Sequence, residues 1–128
     1  MPEAQVKQIL LVEDEPMLAN VLKQRLEREG YKVDLAQDGE GAVKYLKTTK
    51  PDLMLLDIIL PKYSGFEIME MMRNDPTMAQ PSVVIISNLG QESDVLRGQT
   101  LGAVGYFIKA QLSVEDLIGK IKEFLNAG

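Results

Sequence analysis

The sequence predicts an α/β protein with three layers: a five-stranded parallel sheet in strand order 2-1-3-4-5, covered by helices on both faces. Three observations lead there. Short apolar runs alternate with segments of helical periodicity five times along the chain. The clearest runs, Ile9-Leu10-Leu11-Val12 and Leu53-Met54-Leu55-Leu56, lack the polar alternation of a half-exposed strand, as expected for central parallel strands buried on both sides. The connections are short, and five βα units favour an open, doubly wound sheet over a closed barrel, which needs eight.

Each element follows from local chemistry. A first strand, Gln8 to Val12, stops at Glu13-Asp14-Glu15. From Pro16 to Glu29, Leu18, Val21, Leu22 and Leu26 form one helical stripe, with acidic residues and Pro16 at its start and Gly30 after its end. Tyr31 to Ala36 is a second strand, and Asp38-Gly39 opens a short helix reaching about Thr48. Pro51-Asp52 introduces the strand Leu53 to Leu56, which ends on Asp57. A loop with Pro61 and Gly65 leads to a helix from about Phe66 to Arg73, halted by Asn74-Asp75-Pro76. Ser82 to Ile86 is the fourth strand and ends on Ser87; a weaker helix spans about Gln91 to Leu101. The fifth strand, Gly105 to Ile108, ends on Lys109. The last helix repeats Val114, Leu117, Ile118, Ile121, Phe124 and Leu125 at helical spacing behind Ser113 as N-cap. A single domain across 1–128, with its core at about 8–125 and no output domain, is expected.

Composition narrows the chemistry. The 128 residues carry 14 Lys+Arg against 19 Asp+Glu, a net charge of −5, which argues against a phosphate-neutralising nucleic-acid surface. There is no His and no Cys, so imidazole catalysis, thiolate nucleophiles, disulfides and sulfur-bound zinc are excluded within this sequence. Met1-Pro2-Glu3-Ala4-Gln5 lacks the pattern of a signal peptide, and no apolar run approaches membrane-spanning length, so a cytoplasmic location is expected.

In an open parallel sheet, ligands bind outside the C-terminal strand ends, near the switch point between strands 1 and 3. Those ends carry Glu13 and Asp14, Asp57, Ser87 and Lys109. Strand ends are wet, so any one polar residue there is unremarkable. Four strands delivering this complementary set is another matter. Three crowded carboxylates repel unless a cation sits between them, and Mg²⁺ takes such oxygens together with a backbone carbonyl and water. Lys109 and Ser87 add donors for an anion beside that metal. The set suits phosphoryl transfer, with Asp57 as nucleophile forming an acyl phosphate.

At this point the chain resembles the receiver domain of a bacterial two-component response regulator, of the chemotaxis-regulator type, over about Gln8 to Leu125. The matching segments are Leu11-Val12-Glu13-Asp14-Glu15, Asp57-Ile58-Ile59-Leu60-Pro61 with Gly65, Ile86-Ser87, and Gly105-Tyr106-Phe107-Ile108-Lys109. The resemblance implies a flavodoxin-like (βα)5 fold. It implies Asp57 as phosphoacceptor, with Mg²⁺ (or Mn²⁺) held by Glu13, Asp14, Asp57 and the carbonyl of Ile59, Asp14 being a direct ligand. It further implies Ser87 as switch hydroxyl, Lys109 as the strand-5 lysine and Tyr106 as switch aromatic. Ser87 would move toward the phosphoryl group and Tyr106 would turn inward, altering the face of helix 4, strand 5 and helix 5 as a population shift. The implied donor is a phosphohistidine, and with no His here it belongs to a sensor histidine kinase or a histidine phosphotransfer protein. A downstream target, and a monomer or phosphorylation-dependent dimer, complete the implied behaviour; no membrane and no direct nucleic-acid contact are expected.

The pattern departs from the family at four places. Ala110 stands where Pro usually follows the lysine, and a cis bond to a non-proline costs about 3 kcal/mol, so Lys109–Ala110 is expected trans. Asn88 stands where a small residue is usual, where it would narrow access to Asp57 or bond the phosphoryl group. Ile59 and Leu89 are apolar at positions flanking the site, which implies exclusion of hydrolytic water and slow self-dephosphorylation.

Other signals are weaker. Gly39-Glu40-Gly41 lacks the third Gly of a dinucleotide fingerprint and reads as a helix entry capped by Asp38. Met69, Met71 and Met72 with Met54 and Met78 read as core filling, and Glu67 and Glu70 with Arg73 as a solvated helix face. The main alternative function is a degenerate receiver acting as a phosphorylation-independent interaction module, which would be marked by loss of Asp57 or Lys109. A phosphohydrolase of dehalogenase type needs a second Asp where Ile59 stands. A flavodoxin needs a phosphate loop where Glu13-Asp14 would repel the anion.

Overall fold

The computed structural model describes residues 6–126; the leader-free reading of Met1–Gln5 and the last two residues lie outside it. The order is β1 (Gln8–Val12), α1 (Pro16–Arg28), β2 (Lys32–Ala36), α2 (Gly39–Thr48), β3 (Leu53–Leu56), α3 (Gly65–Asn74), β4 (Ser82–Ser87), α4 (Glu92–Thr100), β5 (Gly105–Ile108) and α5 (Val114–Asn126). All neighbouring strands are parallel and run β2-β1-β3-β4-β5, the expected flavodoxin-like order.

Alternation along each strand divides the core into two layers. Leu10, Val12, Met54, Leu56, Val83 and Ile85 meet α2 and α3 through Val43, Leu46, Phe66, Ile68, Met69 and Met72. Ile9, Leu11, Leu53, Leu55, Val84 and Ile86 point the other way, onto Leu22 and Leu26 of α1 and Leu117, Ile118 and Ile121 of α5. Both faces of β1 and β3 are therefore apolar, the physical reason their sequences show no alternation. Ion pairs of Arg25 with Glu115 and of Lys122 with Glu29 (2.7 Å) tie α1 to α5.

Helix ends follow their local signals. Asp38 accepts from the Gly41 amide at 2.7 Å, Ser64 and Glu67 form a reciprocal capping box, and Ser113 accepts from the Asp116 amide. Gly30, closing α1, has φ +95°. Several expectations shift. Val21 is exposed and Ala19 is buried in its place, because the core stripe of α1 runs through Ala19, Leu22 and Leu26. Glu70 pairs with Arg97 of α4 at 2.7 Å, and Arg73 reaches the carbonyl of Thr100 at 2.8 Å, so these groups bridge α3 to α4 and are not an isolated solvated face. Arg97 also lies 4.5 Å over the Phe66 ring. Met54, Met69, Met72 and Met78 are buried as core. Among the described residues no peptide bond is cis, and Lys109–Gln111 forms a single 3₁₀ turn. No described helix is long and apolar enough to cross a membrane.

Candidate functional site

The sheet ladder continues one residue beyond each central strand, and that extension places the carboxylates. The Glu13 amide donates to the Ala36 carbonyl and the Asp57 amide to the Val12 carbonyl, both at 3.0 Å. Glu13 and Asp57 are held by backbone at neighbouring strand ends and are buried, Asp57 lining a cleft with Asp14, which is exposed. One carboxylate oxygen from each of the three lies within 4.8 Å of the others.

Lys109 reaches this cluster from the end of β5. Its Nζ donates to Asp57 Oδ2 at 2.8 Å and Glu13 Oε2 at 3.0 Å, and lies 3.4 Å from Glu15. Asp57 Oδ1 accepts from the Ile59 amide at 3.3 Å, and Glu13 Oε2 from the Glu15 amide at 3.0 Å. Glu13 Oε1 is buried and, although 3.0 Å from the ammonium, has no partner in hydrogen-bond geometry. Burial raises the carboxyl pKa of both Glu13 and Asp57, and Lys109 only partly opposes it. Burial disfavours the ammonium too, but the hydrogen bonds it donates to Asp57 and Glu13 outweigh it, so Lys109 stays charged well above its ordinary range.

That cleft, of about 150 Å³, is lined by Asp14, Glu15, Asp57, Ile59, Asn88 and Lys109. A larger cleft of about 530 Å³ lies away from it, between α2 and α3 around Lys47, Tyr63, Glu67 and Met71, and does not include the cluster. Ser87 is fully buried at the end of β4 and its Oγ accepts from the Leu89 amide at 3.2 Å. Tyr106 is half-buried, with its ring against Gly98 and its hydroxyl donating to the Leu89 carbonyl. Ile59 is 57% exposed on the cleft's rim, whereas Leu89 packs against the core and does not line the cleft. Asn88 is exposed on the lining, as its position after Ser87 implied.

Sequence reasoning passed over Glu15 as a site residue. Its carboxylate faces Lys109 and its amide holds Glu13; the signal was the unbroken acidic run Glu13-Asp14-Glu15.

The model of the response regulator receiver domain matches residues 9–122. The chain belongs to that family. It is 37% identical over 119 residues to the alkaline phosphatase synthesis transcriptional regulatory protein PhoP of Bacillus subtilis, covering 93% of this chain and 48% of that protein. The chain thus spans about half the length of that curated relative. Among solved structures, a CheY-like receiver domain protein from Methanospirillum hungatei superposes with a TM-score of 0.84 at 28% identity, over 96% of each chain. The response regulator TrrA of Thermotoga maritima, solved in complex with Mg²⁺-BeF, gives 0.79 at 30% identity, over 94% of this chain and all of that one. A receiver is a signalling module and not an enzyme with a separate substrate. The cluster of Glu13, Asp14 and Asp57 is the acidic pocket typical of such a domain.

Proposed function

We propose that this receiver accepts a phosphoryl group on Asp57 from a phosphohistidine donor and thereby switches the face made by α4, β5 and α5. The observation that carries the reading is Asp57 itself: a buried carboxylate at the base of a solvent-open cleft, 2.8 Å from the Lys109 ammonium. A carboxylate oxygen of Asp57 attacks phosphorus, the new O–P bond forms as the donor's N–P bond breaks, and the electron pair leaves on the imidazole, which takes a proton. The 128 residues hold no His, so the donor lies outside this sequence, on a sensor histidine kinase or a histidine phosphotransfer protein.

The residues fit a hard cation. Three carboxylates lie within 4.8 Å; among the described residues the only cation among their hydrogen-bond partners is Lys109, and Glu13 Oε1 has no donor in hydrogen-bond geometry. Glu13, Asp14, Asp57 and the carbonyl of Ile59 would hold Mg²⁺, with Mn²⁺ as a substitute. When bound, the metal supplies positive charge to the transferring phosphoryl oxygens. Lys109 would add positive charge to the same oxygens, and the side chain of Ile59, on the cleft's rim, would limit the approach of water.

Ser87 and Tyr106 would carry the signal outward. They share one partner, Leu89, whose amide bonds Ser87 and whose carbonyl bonds Tyr106. A Ser87 hydroxyl drawn toward a phosphoryl oxygen would release the Leu89 amide and bias Tyr106 with it, altering the face offered to a downstream partner or a second copy.

Intact mass after incubation with acetyl phosphate and Mg²⁺ tests the reading. One added phosphoryl group is expected, and none in Asp57→Asn or with EDTA. No adduct from acetyl phosphate or from a phosphorylated histidine kinase would sink it in favour of a phosphorylation-independent interaction module.

A further inference from the structure

The cation site depends on a loop, residues 58–64, that must leave the end of β3 and enter α3 while presenting Ile59 to the cleft. It is pinched at its base. The Gly65 amide donates to the Ile58 carbonyl at 2.8 Å, and a Cβ at Gly65 would fall 2.5 Å from the Asp57 carbonyl oxygen. Its far side is held by a different element. Gly39, the first residue of α2, donates its amide to the Pro61 carbonyl at 3.0 Å, the same oxygen that accepts from the Tyr63 amide.

Gly39 does not sit in the left-handed region, so the glycine is required by space and not by its own backbone. A Cβ there would lie 2.6 Å from Tyr63 Cβ and 2.7 Å from its amide nitrogen, inside any permitted approach. First-turn amides of a helix have no partner within it, which frees this one for the loop, while the Asp38 side chain serves Gly41 two residues on. Between the two contacts, Lys62 has φ +76°, among the described residues the only non-glycine with positive φ. The turn is therefore held in a conformation that lysine rarely adopts, and the amide of Gly39 and the backbone of Tyr63 are what hold it.

We propose that Gly39 is a positioning residue for the cation site: by latching the Pro61–Tyr63 turn to α2 it fixes the loop that offers the Ile59 backbone to the ion. The proposal rests on the metal reading above. It assigns to the Gly39-Glu40-Gly41 segment a role beyond helix entry, and it couples α2 to the Asp57 site. Coupling is reciprocal, so the ion must tighten the latch by the factor that the latch tightens the ion.

Mg²⁺ affinity, measured by amide chemical shifts during titration of the full chain without any phosphodonor, tests this. Gly39→Ala is expected to weaken Mg²⁺ binding about tenfold, as loss of a supporting contact does. Asp38→Ala, which removes the α2 cap but leaves the loop contacts, is expected to bind as wild type does. Equal affinity in Gly39→Ala, or equal weakening in Asp38→Ala, would overturn the latch. Should Gly39→Ala fail to fold, the wild-type chain decides: saturating Mg²⁺ must slow amide exchange at Gly39 more than at Gly41, and equal slowing overturns the latch. A wild-type chain with no Mg²⁺-dependent shifts overturns the metal reading itself, an outcome distinct from both.

Discussion

The ammonium of Lys109 lies 2.8 Å from Asp57 and 3.0 Å from Glu13, so a single cation serves two carboxylates buried at the ends of different strands. Removing one partner of a buried pair leaves the remaining charges uncompensated, at a cost of about 3 kcal/mol. Lys109→Met is expected to lose roughly that much stability near neutral pH. Both carboxyl pKa values are already raised by burial, so their protonated forms are favoured in the folded state. The deficit should therefore shrink as the pH is lowered, and Mg²⁺ should restore part of it at neutral pH. Urea denaturation at two pH values, with and without Mg²⁺, checks all three. A pH-independent deficit would mean that the lost contacts are apolar.

A second pair defines a pH window for the fold. Asp34 accepts hydrogen bonds from Tyr45 at 2.7 Å and Gln8 at 2.9 Å, and the Tyr45 bond holds its carboxyl below 3.8. Burial, then Asp34 itself, pushes the Tyr45 phenol from 10.0 up to about 12. The depressed Asp34 contributes stability above 3.8 that is lost as pH falls through its lower folded value. The raised Tyr45 contributes below 10.0 what is lost as pH rises toward about 12. Tyr45→Phe is expected to cost about 1.5 kcal/mol at neutral pH and to flatten both limbs. Thermal unfolding across the range measures it; limbs unchanged in the variant would assign them to other groups.

Gly98 controls where Tyr106 can sit. A Cβ there would fall 2.8 Å from Ile85 Cδ1 and 3.2 Å from the Tyr106 ring. The isoleucine end can swing away, but the ring must give. Alanine favours the helix by about 1 kcal/mol, offsetting that displacement, so Gly98→Ala should change stability little. It should shift the Tyr106 ring resonances and weaken the hydroxyl's bond to Leu89. Ring resonances identical to wild type would show that α4 moves instead.

The two apolar residues that the sequence sets beside the Asp57 site are not equivalent. Ile59 stands on the cleft's rim, and Leu89 is partly buried against the core. Ile59→Asn alone is expected to shorten the life of the phosphorylated state several-fold, with Leu89→Glu acting less. Following loss of the phosphoryl adduct by intact mass after donor removal decides this, and an unchanged half-life in the double variant would end the water-exclusion argument.

Most of the site was legible because a parallel α/β sheet puts its chemistry at strand ends. Once Gln8–Val12, Leu53–Leu56, Ser82–Ile86 and Gly105–Ile108 were read as strands, the residues after them had to converge. Burial of both faces made those strands visible as unbroken apolar runs. Less was legible in α1, where a stripe drawn through Val21 competes with one through Ala19. Alanine's small side chain adds little to a periodic signal, yet it packs closest to the sheet. The partners of Glu70 and Arg73 were missed for a related reason: both side chains are long, and helical spacing cannot say whether they reach along α3 or across to α4.

The sequence by itself determined the fold, the strand order and the residues gathered at one edge, because those follow from periodicity and from where apolar runs stop. Only the tertiary structure decided which carboxylates are buried, that Lys109 is shared between Glu13 and Asp57, that Glu15 faces it, and that Gly39 grips the loop beyond Asp57. These are contacts between residues distant in the chain, from Lys109–Glu13 to Gly39–Pro61. Their distances depend on how layers pack, and no local pattern of residue types encodes that.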